Sequence, residues 1–202
     1  MSTVGTIQEL ETPALLLDEK KLSANLDRMR AQLKGLGVPL RPHVKTAKSF
    51  DVIRRVLEGQ PGGITVSTLK EAEYFFAHGL RDILYAVGIA PSKLAHATDL
   101  VKRGVSLTLI TDNVSAVQAA QVAARQAEVV LPMLIELDVD GHRSGLQPES
   151  AMVLEVARAI AAASDLELRG VMTHAGGSYE CRTPEALREI AERERSGTVR
   201  AA

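Results

Sequence analysis

Apolar positions along the chain follow two different spacings. In "EKKLSANLDRMRAQLKGLG" (19–37), Leu22, Leu26 and Met29 recur every three or four residues, which is the period of an amphipathic helix. Between segments of this kind lie short continuous apolar runs such as "VSLTLIT" (105–111), which are typical of strands covered on both faces. The pattern therefore predicts a chain that alternates between helix and strand.

The order of these segments predicts parallel βαβ units. The opening apolar run "ALLLD" (14–18) is predicted to be a strand, followed by the helix at 19–37. Later strands and helices are joined by short connections, which favours parallel strands with helical crossovers. Six such units are predicted, and they start at residues 39, 63, 81, 105, 129 and 166.

Two α/β architectures are compatible with this order. A complete (β/α)8 TIM barrel has eight units and typically needs about 250 residues, so a chain of 202 residues predicts an incomplete barrel. A doubly wound sheet of six strands is the alternative, but "HVKTAKS" (43–49) contains no glycine for a phosphate-binding turn. We expect residues 1–202 to be the N-terminal part of a barrel domain, with no second domain in the chain.

Composition and charge narrow the class of protein. The chain is 46% hydrophobic and 24% charged with a net charge of −1, which is ordinary for a globular protein and gives no reason to expect nucleic acid or an anionic membrane as partner. It has no apolar run of about 18 residues and no basic start followed by an apolar core. Its single cysteine, Cys181, fits a reducing compartment, so we expect a cytoplasmic protein.

The segment "RPHVKTAK" (41–48) carries the first candidate chemistry. Period two places Arg41, His43 and Lys45 on one face of the strand predicted at 39–45, near its carboxyl end. If this face lines a barrel, the walls are expected to desolvate Lys45 and favour the neutral amine, which can form a Schiff base. Lys48 follows the strand and is expected to be more solvated, and both lysines could instead be ordinary surface charges.

The strand end "ELDVDGHRSG" (136–145) carries a second cluster of polar side chains. Asp138, Asp140 and His142 could ligate a metal ion. Their spacing matches no strong metal-binding pattern, however, and clusters of Asp, Gly and Ser are usually turns.

The strand end "MTHAGGSYE" (172–180) carries a third group. His174 is predicted at the end of the strand, and the glycines after it would let the backbone approach a ligand closely. A single histidine there, or Tyr179 after it, can equally be structural.

Together these segments resemble the N-terminal barrel domain of fold-type III pyridoxal-phosphate enzymes, the alanine racemase N-terminal-like barrel. Within that class the chain is most similar to the D-threonine aldolase and eukaryotic-type D-serine dehydratase group. "RPHVKTAKS" resembles the group's lysine motif Arg-Pro-His-x-Lys-Thr-His-Lys, with Ala47 in place of the second histidine. "LDVDGHRSG" is similar to the motif Asp-x-Gly-x-x-Arg-x-Gly, and "TPALLLDEKKLSANLDRM" (12–29) to the group's opening strand and helix.

The resemblance implies roles for particular residues. It places the Schiff-base lysine at Lys45, with Arg143 near the phenolic oxygen of the cofactor. His174 would pack against the pyridine ring with Tyr179 close by, and His43 of the lysine motif would also contact the cofactor. No metal ligand is implied among these residues. The family's phosphate-binding loop, and a C-terminal β domain with metal ligands, are expected beyond residue 202.

The resemblance also implies an activity. The expected cofactor is pyridoxal 5'-phosphate, with a divalent metal (Mn, Mg or Zn) only in the full-length protein. The expected protein is a homodimeric lyase that acts on a small D-β-hydroxy amino acid, foremost a D-threonine aldolase that yields glycine and an aldehyde. The alternatives are a D-serine dehydratase, an amino-acid racemase and a non-catalytic carrier of the cofactor. The 202-residue chain by itself is expected to be inactive.

Overall fold

The computed structural model describes residues 5–202, in two units divided between Leu40 and Arg41. Residues 1–4 belong to the N-terminus interpreted above as lacking a signal peptide, and they lie outside the described residues.

The first unit contains one long helix, α1 (Glu19–Leu36), and a short 3-10 helix at Ile7–Glu9. The Asp18 carboxylate caps α1 by accepting a hydrogen bond from the Lys21 N–H at 3.0 Å. The prediction of a strand at 14–18 is wrong, because these residues do not pair with any strand among the described residues. The side chains of Leu15, Leu16 and Leu17 are all exposed. Apolar side chains alone do not make a strand when the backbone has no neighbour for its hydrogen bonds.

The second unit is a parallel sheet flanked by helices. The strands are hydrogen-bonded in their order along the chain, each parallel to the next. This sequential order is that of a barrel wall, since a doubly wound sheet reverses its strand order part-way. The predicted parallel α/β barrel class is confirmed. The strands are β1 (Ile64–Val66), β2 (Asp82–Gly88), β3 (Ser106–Thr111), β4 (Leu131–Leu137) and β5 (Leu166–Thr173); the helices are α2 (Phe50–Leu57), α3 (Leu69–Ala77), α4 (Leu94–Lys102), α5 (Val114–Ala127), α6 (Ala151–Ala161) and α7 (Pro184–Ala201).

The strand predicted at 39–45 is reduced to a single bridge, between His43 and Thr65 of β1. The Val44 N–H donates to the Thr65 carbonyl at 2.9 Å, and the Thr65 N–H donates to the Pro42 carbonyl at 2.8 Å. Pairing cannot extend toward the N-terminus because Pro42 has no N–H to donate. In the other direction the chain turns, with the Lys48 N–H bonded to the Val44 carbonyl at 2.9 Å. Of the six predicted βα units, five therefore have a strand among residues 5–202, and the first has only this bridge.

Strand side chains alternate between a helix-facing core and the opposite face of the sheet. Ile83 and Leu107 are fully buried and lie opposite each other on neighbouring strands, as do the buried Tyr85 and Leu109. They form one hydrophobic cluster with residues of the covering helices. The intervening residues, among them Thr65, Leu84 and Glu136, line a cavity on the other face.

Thr68 is predicted to be an energetically important cap of α3. Its Oγ1 accepts the Glu71 N–H at 3.0 Å, and a Glu71 carboxylate oxygen accepts the Thr68 N–H at 3.3 Å, so the two residues form a capping box. Replacing Thr68 with Ala removes this acceptor and should lower the free energy of unfolding by about 1 kcal/mol, measured by urea denaturation.

The matched control is Ser49→Ala, at the cap position of α2. The Ser49 side chain makes no cap hydrogen bond, so this substitution should change the stability much less. Equal losses in the two variants would contradict the assignment of the Thr68 cap.

Candidate active site

The carboxyl ends of the parallel strands surround one cavity of about 500 Å³. This volume lies within the range of small-molecule sites. Residues from β1, β2, β4, β5 and the loops that follow them contribute to its walls. Its polar and charged lining consists of Arg41, His43, Lys45, Thr65, Ser67, Glu136, Arg143, Ser144, Thr173 and His174.

His43 organises the turn that carries Lys45. Its Nδ1 accepts the Lys45 backbone N–H at 3.3 Å, and its Nε2 lies 3.2 Å from the Ser67 Oγ. Because Nδ1 accepts, the proton of the neutral ring lies on Nε2, which donates to Ser67. Burial, and then the positive charge of Lys45, lower the pKa of His43. The imidazole is therefore neutral at pH 7.

The two lysines of the segment have different surroundings. Lys45 lines the cavity, whereas the Lys48 Nζ forms an ion pair with a Glu71 carboxylate oxygen at 3.3 Å. Lys48 also has a left-handed backbone, with φ of 46°, which carries its side chain into this separate environment. The expectation that barrel walls desolvate Lys45 is wrong for this chain, because the residue is exposed beside an open five-stranded sheet.

The loop after β4 folds back on its own strand and brings Arg143 to the cavity. Leu146 forms a parallel bridge with Leu137, its N–H donating to the Glu136 carbonyl at 2.9 Å. This close return requires Gly145, which has a φ of 118°; a Cβ there would lie 2.6 Å from the Leu137 carbonyl carbon. The turn between the two bridged residues therefore holds Arg143 at the strand end.

The acidic residues of this loop act as backbone acceptors. An Asp138 carboxylate oxygen accepts the Gly141 N–H at 2.9 Å, and Asp140 accepts the His142 N–H at 3.2 Å. Within residues 5–202, no three His, Cys, Asp or Glu side chains are arranged to hold a metal ion. The metal site considered for this cluster is replaced by a hydrogen-bonded turn.

Glu136 is a cavity residue that the sequence analysis did not select. It is 8% exposed, and its Oε1 accepts the Ser144 hydroxyl at 3.0 Å. Burial raises the pKa of Glu136, although the Ser144 hydrogen bond opposes this effect. The signal was present in the strand: Ile135 and Leu137 face the core, so alternation turns the residue between them to the opposite face.

His174 follows the last residue of β5 and lines the cavity beside Arg143. Burial, then the charges of Arg143 and Lys45, lower the pKa of His174. The Tyr179 hydroxyl lies 3.3 Å from the His174 Nε2, and the two rings meet edge to face. Tyr179 is mostly exposed and is connected to the cavity through His174.

The predicted site residues are thus brought together by three separate segments of the chain. Lys45, His43, Arg143 and His174 line one cavity, and Tyr179 contacts it through His174. Their roles toward a cofactor stay predictions, since the geometry gives their positions and not their ligand.

Residues 17–196 match the family described as alanine racemase, N-terminal domain. The chain belongs to this family. The resemblance to fold-type III pyridoxal-phosphate enzymes is thereby confirmed.

Relatives with named activities are similar over almost all of the chain. It is 47% identical to the D-threo-3-hydroxyaspartate dehydratase of Delftia sp. (strain HT23), over 98% of this chain and 52% of that protein. It is 32% identical to the 3-hydroxy-D-aspartate aldolase of Paracoccus denitrificans, over 83% of this chain and 44% of that protein. The chain spans about half the length of the curated relatives that it matches.

The fold is likewise similar to a solved structure of this family. The structure of the Delftia dehydratase superposes with a TM-score of 0.93, covering 96% of this chain and 51% of that one. No helix among residues 5–202 is both long enough and apolar enough to span a membrane.

The raised pKa of Glu136 predicts a distinct dependence of stability on pH. A carboxyl group whose pKa is higher in the folded than in the unfolded state stabilises the fold most below the unfolded pKa, ordinarily 4.5. That contribution is lost as the pH rises through the folded pKa. Glu136→Gln retains an acceptor for Ser144 and cannot ionise. The stability of the wild type relative to this variant should therefore fall as the pH rises above about 4.5, measured by urea denaturation at a series of pH values.

A matched control is Glu149→Gln, since Glu149 is an exposed carboxylate paired with Arg200. Its difference from the wild type should not show the same decline with rising pH. If the difference in stability between the wild type and Glu136→Gln does not change with pH, Glu136 is not a carboxyl group whose ionisation is disfavoured by burial.

Proposed function

We propose that this chain forms the cofactor-binding barrel part of a pyridoxal-phosphate-dependent lyase acting on D-β-hydroxy amino acids. The observation that carries the proposal is the convergence of Lys45, Arg143 and His174 on one cavity at the carboxyl ends of parallel strands. Membership of the alanine racemase N-terminal domain family and 47% identity to a dehydratase of a D-β-hydroxy amino acid support it.

The residues present fit the reactive part of this cofactor. The cavity has room for a small aromatic ligand and offers a lysine amine, a guanidinium and two imidazoles. An amine can bond covalently to an aldehyde, and a guanidinium can pair with an anionic oxygen. When bound, pyridoxal phosphate supplies an electron sink for negative charge at the α carbon of an amino acid.

Each residue has a proposed part in the reaction. Lys45 would hold the cofactor through its amine, and it would accept the α proton of the substrate. Arg143 would pair with an anionic oxygen of the ligand. His174, whose pKa is lowered by burial and then by the neighbouring cations, would pack beside the cofactor, with Tyr179 in contact with it. His43 keeps the Lys45 turn in place.

We further propose a dehydratase in preference to the D-threonine aldolase expected from the lysine motif. The more similar of the two relatives named above eliminates water, and both carry 3-hydroxyaspartate in their names. Elimination removes the α proton and the β hydroxyl as water, and hydrolysis of the resulting enamine gives oxaloacetate and ammonia. Retro-aldol cleavage of the same substrate would give glycine and glyoxylate. The donor set of the described residues does not fit a metal ion, so no step is assigned to one here.

The attachment of the cofactor can be mapped directly. The full-length protein is incubated with pyridoxal phosphate, reduced with borohydride, digested and analysed by mass spectrometry. We expect the pyridoxyl group on Lys45, loss of this product in Lys45→Ala and its retention in Lys48→Ala, because Lys48 is paired with Glu71 outside the cavity. A label that appears on Lys48 and persists in Lys45→Ala would show that Lys48, and not Lys45, holds the cofactor.

The reaction can be identified by its products. Incubating the full-length protein with D-threo-3-hydroxyaspartate should release oxaloacetate and ammonia. Glycine and glyoxylate from the same substrate, or glycine and acetaldehyde from D-threonine, would indicate an aldolase. Pyruvate from D-serine would indicate a D-serine dehydratase, and D-alanine from L-alanine a racemase. A protein that binds the cofactor and turns over none of these would be a carrier.

A further inference from the structure

Two loops at the cavity are joined by a buried carboxylate that the proposed reaction does not use. Asp140 lies in the loop after β4, and its side chain is completely inaccessible to solvent. One of its oxygens accepts the Gly177 N–H at 2.6 Å, across 37 residues of sequence, in the 3-10 helix Gly176–Glu180 that follows β5. The contact between residues 138–146 and this 3-10 helix is termed the loop clasp.

The carboxylate is held in the loop clasp by hydrogen bonds from both loops. Its Oδ1 accepts the His142 N–H at 3.2 Å, while its Oδ2 accepts the Gly177 N–H. Burial raises the pKa of Asp140, but these two backbone hydrogen bonds, together with the His142 ring and the Asp138 side chain, keep the pKa below its ordinary value. The group therefore stays ionised with both oxygens engaged, and a neutral amide could not accept at both positions.

The loop clasp brings the 3-10 helix that contains Tyr179 against the Arg143 side chain. Gly176 lies against the Arg143 side chain so closely that a Cβ there would be 2.7 Å from the Arg143 Cδ. Tyr179 lies two residues beyond Gly177 and contacts His174 through its hydroxyl. The Asp140 bond to Gly177 therefore sets how Arg143 and Tyr179 are placed relative to each other.

The third position of the motif Asp-x-Gly-x-x-Arg-x-Gly, matched by "LDVDGHRSG", is occupied by Asp140 in this chain. A glycine there offers no side-chain acceptor, so the bond to Gly177 depends on the residue that this chain carries.

We propose that Asp140 is a positioning residue, which holds the 3-10 helix after β5 against Arg143 and so orients Tyr179 and His174 toward the ligand. The proposal rests on the proposed function, because the ligand is the cofactor and substrate assigned above. Asp140 itself touches neither, and it acts through Gly177.

The first test measures backbone protection, which does not depend on activity. In the full-length wild type, hydrogen exchange should show the Gly177 amide protected. Asp140→Asn leaves one acceptor and should accelerate exchange in the 174–180 segment while β2 and β3 stay protected, which also shows that the variant is folded. The control is His142→Ala, which keeps the backbone donor to Asp140 and loses an exposed ion pair with Glu180 at 3.9 Å; because such exposed pairs contribute little, this segment should stay protected.

The second test measures catalysis by the same proteins. Misplacement of groups around a ligand lowers rates by up to about 10²-fold, so kcat of Asp140→Asn should fall with a smaller change in KM. The borohydride label on Lys45 should persist, since the Lys45 turn is held by other contacts. His142→Ala should retain the wild-type kcat.

The outcomes separate the two proposals. An unprotected Gly177 amide in the wild type overturns the role of Asp140, whether or not any variant folds. Unchanged exchange and unchanged kcat in Asp140→Asn also overturn it. A wild type that neither takes the label on Lys45 nor turns over a D-β-hydroxy amino acid overturns the proposed function and leaves the exchange result to decide whether the loop clasp exists.

Discussion

Two backbone hydrogen bonds between residues 42–44 and Thr65 attach the lysine segment to the edge of the sheet. Among the described residues, these are the only backbone hydrogen bonds that pair the lysine segment with β1. Pro42 has no N–H to donate, and the chain turns after Val44. The lysine part of the candidate site depends on this attachment: it places Lys45 near the strand ends, and it gives His43 its position between Lys45 and Ser67.

The charges around the cavity form a consistent set. Burial, and then the positive charge of Lys45, lower the pKa of His43, and burial, then Arg143 and Lys45, lower the pKa of His174. Burial raises the pKa of the Glu136 carboxyl group. A site built in this way favours an anionic ligand such as a phosphorylated cofactor or an amino-acid carboxylate. The neutral imidazoles can then serve as packing surfaces and hydrogen-bond partners without adding charge.

The loops after β4 and β5 are held by backbone contacts that only particular residues permit. Gly145 allows the first loop to return against Leu137, and Gly176 allows Arg143 to lie against the second. Asp140 ties the two loops together from a fully buried position. The acidic, glycine-rich composition that could have indicated a metal site therefore has a structural explanation, in which the carboxylates satisfy backbone N–H groups at the ends of parallel strands.

The sequence by itself determined the alternation of strand and helix and the parallel barrel class, because hydrophobic period is a local property. Lys45 and His174 were candidates from their predicted positions near strand ends, and the resemblance to a family motif added Arg143; their roles toward a ligand stay predictions. The sequence did not determine that 14–18 and 39–45 fail to form full strands, since strand formation depends on a partner whose backbone is free to pair. Glu136 was overlooked within an apolar run, and Asp140 was seen as a turn residue without its partner 37 residues away. Only the tertiary structure decided these points, because burial and long-range hydrogen bonds depend on which segments meet in space.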